Sequence, residues 1–120
     1  MPSLLVIDDE SEVTGYLREY FKRRGVEVLA AASGQEGLVL LRSAHLALVL
    51  LDIRLGKGLS GLDVLRQARE EKAASEIIML TALEDTATAE TAKSLGAADY
   101  ITKPFILEEL EKIVLSRLKI

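Results

Sequence analysis

The feature that most constrains this chain is a regular alternation of short apolar runs with longer stretches of helical period. "LLVI" at 4–7, "VEVLAA" at 26–31, "LALVLL" at 46–51, "IIML" at 77–80 and "YI" at 100–101 are five candidate strands. The inner runs are apolar throughout, as in strands covered on both faces. Between the first two, Val13, Leu17, Tyr20 and Phe21 recur at helical spacing and the stretch stops at "KRR" and Gly25, which predicts helix one. Ser33 and Glu36 have the spacing of a capping box and predict helix two, with Leu38 and Leu41 inward and Gly34 and Gly37 weakening its first turn.

Ser60 is the expected N-cap of a third helix from about Gly61 to Glu71, with Leu62, Leu65 and Ala68 facing inward. A fourth, from Glu84 to Leu95, is poor in large apolar groups and is expected to pack loosely before Gly96 ends it. The fifth, Leu107 to Leu118, carries Leu107, Leu110, Ile113, Val114 and Leu118 along one side, with acidic residues first and basic residues last, as the helix dipole favours. Strands alternating with helices predict an α/β fold: a doubly wound, five-stranded parallel sheet flanked by five helices and joined by right-handed crossovers. At 120 residues, the whole chain, 1–120, is expected to form one domain around one sheet.

Composition narrows the function classes. A net charge of -4 offers no basic excess, so direct nucleic-acid binding by this domain is not expected. There is no cysteine, hence no disulfide framework or thiolate metal site, and any metal must be held by oxygen or by His45. No apolar run is long enough to span a bilayer and "MPSLLVIDDE" lacks the pattern of a signal peptide, so the chain reads as cytoplasmic with no membrane partner.

In open parallel sheets ligands bind beyond the carboxyl ends of the strands, which directs attention to the residue after each apolar run. Those positions hold Asp8 and Asp9, then Asp52, then Thr81, and finally Thr102 leading into Lys103 and Pro104. Each has a plain structural alternative: Asp8, Asp9 and Glu10 as helix caps, Thr81 in a turn, Lys103-Pro104 as a bend. Asp52 is harder to explain that way, because a carboxylate directly after "LALVLL" is costly to desolvate unless a cation or donors compensate it. Clustered aspartates would repel one another, and Mg2+, which takes a few carboxylates and keeps waters, suits them better than zinc. A phosphoryl group would then be held by the metal, Lys103 and Thr81, with Asp52 as nucleophile.

A competing reading rests on Gly56-x-Gly58-x-x-Gly61, the literal glycine pattern of a dinucleotide site. A dinucleotide fingerprint places its first glycine immediately after the strand, whereas here Asp52 stands there and would repel a pyrophosphate. The glycines are expected instead to form a tight loop that lets backbone carbonyls approach the metal. His45 is read as a surface turn residue, and Tyr16, Tyr20 and Phe21 as core and flank of helix one.

Together the motifs resemble the receiver (CheY-like) domain of bacterial two-component response regulators, from "LLVIDDE" through "GAADYITKPF" to the last helix. The resemblance implies the flavodoxin-like strand order 2-1-3-4-5, with Asp52 as phosphoacceptor. It further implies that Asp9, Asp52 and the backbone carbonyl of Arg54 bind Mg2+ directly while Asp8 acts through a water. Thr81 and Lys103 would contact phosphoryl oxygens, small Ala82 would leave the site open, Tyr100 would be the aromatic switch, and Lys103-Pro104 would be cis. A histidine kinase or phosphotransfer protein would be the donor, the output domain or partner would read helix 4, strand 5 and helix 5, and a phosphorylation-dependent homodimer is possible through the same elements. Arg54 and Leu83 occupy positions that tune dephosphorylation in the family. Many receivers have proline at the position of Gly56, and the loop "GKGLSG" is one residue longer than usual, which bears on its shape. The domain is expected to be regulatory rather than a metabolic enzyme, catalysing only its own phosphotransfer and dephosphorylation. The alternatives are a receiver cut from a larger transcriptional regulator, a scaffold that is never phosphorylated, and a magnesium-dependent phosphoester hydrolase.

Overall fold

The computed structural model describes residues 3–82 and 85–120. Strands β1 (Ser3–Ile7), β2 (Glu27–Ala31), β3 (Leu48–Asp52), β4 (Glu76–Ala82) and β5 (Asp99–Lys103) alternate with helices α1 (Ser11–Lys22), α2 (Gly34–Ser43), α3 (Gly61–Glu70), α4 (Thr86–Ser94) and α5 (Leu107–Leu118). All neighbouring strands are parallel, in the order β2-β1-β3-β4-β5. This is the flavodoxin-like arrangement expected from the sequence. Glu84, where the fourth helix was expected to begin, and Leu83 lie outside the described residues.

Period-two alternation within the strands builds two cores. Leu4, Val6, Leu48, Leu50, Ile78 and Leu80 face α1 and α5, where Leu17, Phe21, Leu110 and Val114 meet them. Leu5, Ile7, Val49, Leu51, Ile77 and Met79 face the other way, against Leu38, Val64, Leu65, Ala89 and Ala92 from α2, α3 and α4. Among its described residues, helix α4 contributes only Ala89 and Ala92 to that buried layer, as its expected poverty in large apolar groups implies. No described helix is long and apolar enough to cross a membrane.

The capping residues behave with one difference. Ser60 caps α3 in a full capping box with Asp63, each side chain accepting from the other's backbone N–H. Ser33 accepts from the Glu36 N–H as expected, but the Glu36 carboxylate reaches one residue further back and accepts from Ala32. Gly34 and Gly37 also have a task that propensity does not reveal. A Cβ on Gly37 would sit 2.4 Å from Ile7 Cδ1, and one on Gly34 2.7 Å from Val64 Cγ2, so both let α2 approach the sheet and α3 closely. His45 is exposed between α2 and β3, at the opposite end of the sheet from the acidic residues.

Candidate functional site

Register explains why distant residues meet. Ile7 pairs with Leu51, so the first residue beyond β1, Asp8, comes beside the last residue of β3, Asp52. Asp52 in turn lies beside Leu80, one residue before Thr81, and Thr81 and Ala82 pair with Thr102 and Lys103. The carboxyl ends of β1, β3, β4 and β5 thus form one edge, and that edge carries the polar residues singled out in the sequence.

At its centre is the Lys103 ammonium. It donates to Asp8 Oδ2 at 2.7 Å and to Asp52 Oδ2 at 3.2 Å, with Glu10 Oε1 at 3.6 Å. Asp8 is 1% exposed, and its second oxygen accepts the Glu10 N–H at 2.9 Å. Asp52 is 8% exposed and its Oδ1 accepts the Arg54 N–H at 3.3 Å. Asp8, Asp9, Glu10 and Asp52 can each bring one carboxylate oxygen within 4.8 Å of the others. Burial pushes the Asp52 carboxyl up to about 6; Lys103 opposes the rise and Asp8 adds to it. Burial pulls the Lys103 ammonium down, but its hydrogen bond to Asp8 and the charge of Asp52 outweigh this and leave it above the ordinary lysine value.

The glycine-rich loop closes the edge from the side. Gly56 and Gly58 have φ of 71° and 87°, in the left-handed region that favours glycine, and a Cβ on Gly56 would lie 3.1 Å from Asp9 Oδ2. Gly61 starts α3 against the site itself: its N–H donates to Ile53 O at 2.8 Å, and a Cβ there would fall 2.2 Å from Asp52 O. The motif that imitates a dinucleotide fingerprint is therefore the packing device of a loop that lies against the acidic edge.

Thr81 is fully buried, with its hydroxyl donating to Ala82 O at 3.1 Å. The Lys103–Pro104 peptide bond is cis. Tyr100 pairs with Met79 further back along β5, and its hydroxyl reaches α4 rather than the acidic edge. Arg54 extends over the loop to Asp85 at the start of α4, with Nε–Oδ2 at 2.6 Å and Nη2–Oδ1 at 2.8 Å.

Asp8, Asp9, Asp52 and Lys103 are thus brought together, Thr81 stands on the neighbouring strand end, and Tyr100 stands apart. Sequence reasoning treated Glu10 only as a helix cap, yet it occupies the N-cap position of α1 without a side-chain cap bond and joins the acidic cluster. Its place in "DDE" was the available signal. Asp85 as the partner of Arg54 had no sequence signal, since the two are 31 residues apart.

Four clustered carboxylates, three of them within 4 Å of the one ammonium, leave an excess of negative charge, and all are hard oxygen donors, the set a divalent cation such as Mg2+ takes. Fold and edge together define a class: a doubly wound parallel α/β domain with an acidic, lysine-bridged site at the strand ends. Comparison with known proteins gives the family. Residues 4–115 match the response regulator receiver domain, and the chain belongs to that family, the receivers of two-component response regulators.

Among curated relatives, "Probable transcriptional regulator ycf27" of Cyanophora paradoxa is 41% identical over 97% of this chain and 48% of its own length. The "Alkaline phosphatase synthesis transcriptional regulatory protein PhoP" of Bacillus subtilis is 36% identical over 98% of this chain and 50% of its own. The chain spans about half the length of the curated relatives it matches. Among solved structures, the Francisella response regulator 1452 receiver domain superposes with a TM-score of 0.91 at 28% identity, covering 99% of this chain and 98% of that one. A receiver domain from Clostridium thermocellum gives 0.89 at 30% identity, covering 99% and 95%. Receiver domains generally bind Mg2+, and the acidic cluster is in place for it.

Proposed function

We propose that this domain is a phosphorylation-controlled switch in which Asp52 accepts a phosphoryl group from the phosphohistidine of a histidine kinase or phosphotransfer protein. The observation that carries the reading is the Lys103 ammonium bridging the carboxylates of Asp8 and Asp52 at the edge where four strands end. In the transfer, a carboxylate oxygen of Asp52 forms the new bond to phosphorus. The donor's P–N bond breaks, and the imidazole nitrogen keeps its electron pair and takes a proton from solvent. No general base is needed, because the nucleophile works as its carboxylate.

Mg2+, when bound, would neutralise the carboxylates and polarise the transferred group, with Asp9, Asp52 and the Arg54 carbonyl holding it directly and Asp8 through a water. Lys103 keeps a positive charge at the edge and is placed to exchange Asp52 for a phosphoryl oxygen. Thr81, hydrogen-bonded to Ala82 at rest, is the hydroxyl available to turn toward that group, and Tyr100 would follow it inward. The surface of α4, β5 and α5 would then present a changed face to an output domain or partner, a second copy of the receiver among them. In this reading the domain acts in the cytoplasm, touches neither membrane nor nucleic acid itself, and catalyses only its own phosphorylation and dephosphorylation.

Intact mass after incubation with acetyl phosphate tests the assignment. One phosphoryl addition that requires both Mg2+ and Asp52, and is absent in Asp52→Asn, is the expected result. A mass gain that persists in Asp52→Asn, or none under any condition, would remove Asp52 from the role.

A further inference from the structure

Helix α4 meets the sheet through Ala89 and Ala92, both fully buried, and this close seat brings the next residues of the helix over the edge of β5. Glu90 is exposed, and its Oε1 accepts the Tyr100 hydroxyl at 3.1 Å. Three residues on, one turn along the same face, Lys93 Nζ lies 6.0 Å from the centre of the Tyr100 ring. The tyrosine on β5 is therefore held from one helix by a carboxylate at its hydroxyl and an ammonium over its ring. Thr81 meanwhile keeps its hydroxyl on Ala82, and the Tyr100 ring is half-buried against the core beneath α4.

We propose that Glu90 is a positioning residue: its carboxylate holds the Tyr100 hydroxyl at α4, and so sets how readily the domain passes to its switched state. The inference rests on the reading of Tyr100 as the switch and adds the group that restrains it. A phenol donating to a carboxylate is a charge-assisted hydrogen bond, stronger than a neutral one. When the ring turns inward that bond is lost, so it favours the resting state by its net worth in water, a factor of about two to ten in the balance of states. The same bond raises the Tyr100 hydroxyl above its ordinary pKa, as expected for a proton shared with an anion. Glutamine at position 90 would retain an acceptor oxygen and alanine would not.

The experiment uses protein labelled with 3-fluorotyrosine; its three tyrosines are resolved by fluorine NMR and Tyr100 is assigned by its loss in Tyr100→Phe. Glu90→Ala is expected to move the resting Tyr100 resonance toward the position it takes with Mg2+ and beryllofluoride. It is also expected to speed phosphoryl uptake from acetyl phosphate about two- to tenfold. Glu90→Gln, which keeps an acceptor but not the charge, should fall between the parent and Glu90→Ala, and Glu90→Ala should change nothing further in a Tyr100→Phe background. An unmoved Tyr100 resonance in Glu90→Ala would overturn the inference, as would an equal rate gain with Tyr100→Phe, which would place the effect in the helix rather than the ring. The resting resonance is read without phosphorylation, so a chain that takes no phosphoryl group would defeat the proposed function while the restraint by Glu90 is still decided.

Discussion

At Asp52 two opposing effects meet. Burial and the neighbouring Asp8 disfavour its charge while Lys103 favours it, and the balance lies on the side of burial, with the carboxyl raised from 3.8 to about 6. A carboxyl with a higher pKa folded than unfolded binds its proton more tightly in the folded state. Ionised Asp52 therefore destabilises the metal-free fold above pH 6, and the penalty disappears as pH falls from 6 toward 3.8. Asp52→Asn is expected to stabilise the protein in chelator at about pH 7.5 by about 1–2 kcal/mol, the shift being discounted for solvent at the mouth of the site. Urea unfolding at that pH and at about pH 5 checks it: the gain should shrink at the lower pH. Equal stabilisation at both would mean that Asp52 does not titrate between them. Asp52 was legible in the sequence because a charge directly after "LALVLL" needs a reason. Glu10 was not, because an acidic residue before a helix has an ordinary explanation that only its missing cap bond removes.

Helices and loops show a similar division between what local pattern reveals and what contact imposes. Periodicity located α3 and α5 within a residue and placed α1 between the first two strands, and the Ser60 cap was readable from its type and place. Glycine is where the same letters carry different physics. Gly15 is exposed within α1 and a Cβ there meets nothing within 4 Å, whereas one on Gly61 would strike Asp52 O. Gly15→Ala is accordingly expected to stabilise by about 0.5–1 kcal/mol through helix propensity and lost unfolded-state freedom. Gly61→Ala should destabilise by about 1–3 kcal/mol and slow phosphoryl uptake, because relief of the clash must move the backbone of Asp52. Thermal unfolding of both variants, with uptake measured on the second, tests this. A neutral Gly61→Ala would show that α3 can withdraw without cost.

For the whole molecule, the acidic edge couples ion binding to folding, since its oxygens converge only when β1 and β3 are paired. A cation that binds only the folded chain stabilises it by mass action, about 2.7 kcal/mol at a hundred times its dissociation constant. Mg2+ is therefore expected to raise the unfolding midpoint of the parent and to do so much less in Asp9→Asn. The absence of a shift in the parent would mean that the cluster holds no such ion.

By itself the sequence determined the alternation of strands and helices, the parallel sheet, and the row of reactive residues at its strand ends. These are properties of local period and chain position, and each can be read within a few residues. Only the tertiary structure decided which oxygen of which carboxylate meets Lys103, that Glu10 joins them, that Arg54 reaches Asp85, that Gly61 admits α3 to the back of Asp52, and that Glu90 receives Tyr100. Period tells a side chain which face it shares; its partner there is set by strand register and helix seating, through contacts between residues that the sequence keeps far apart.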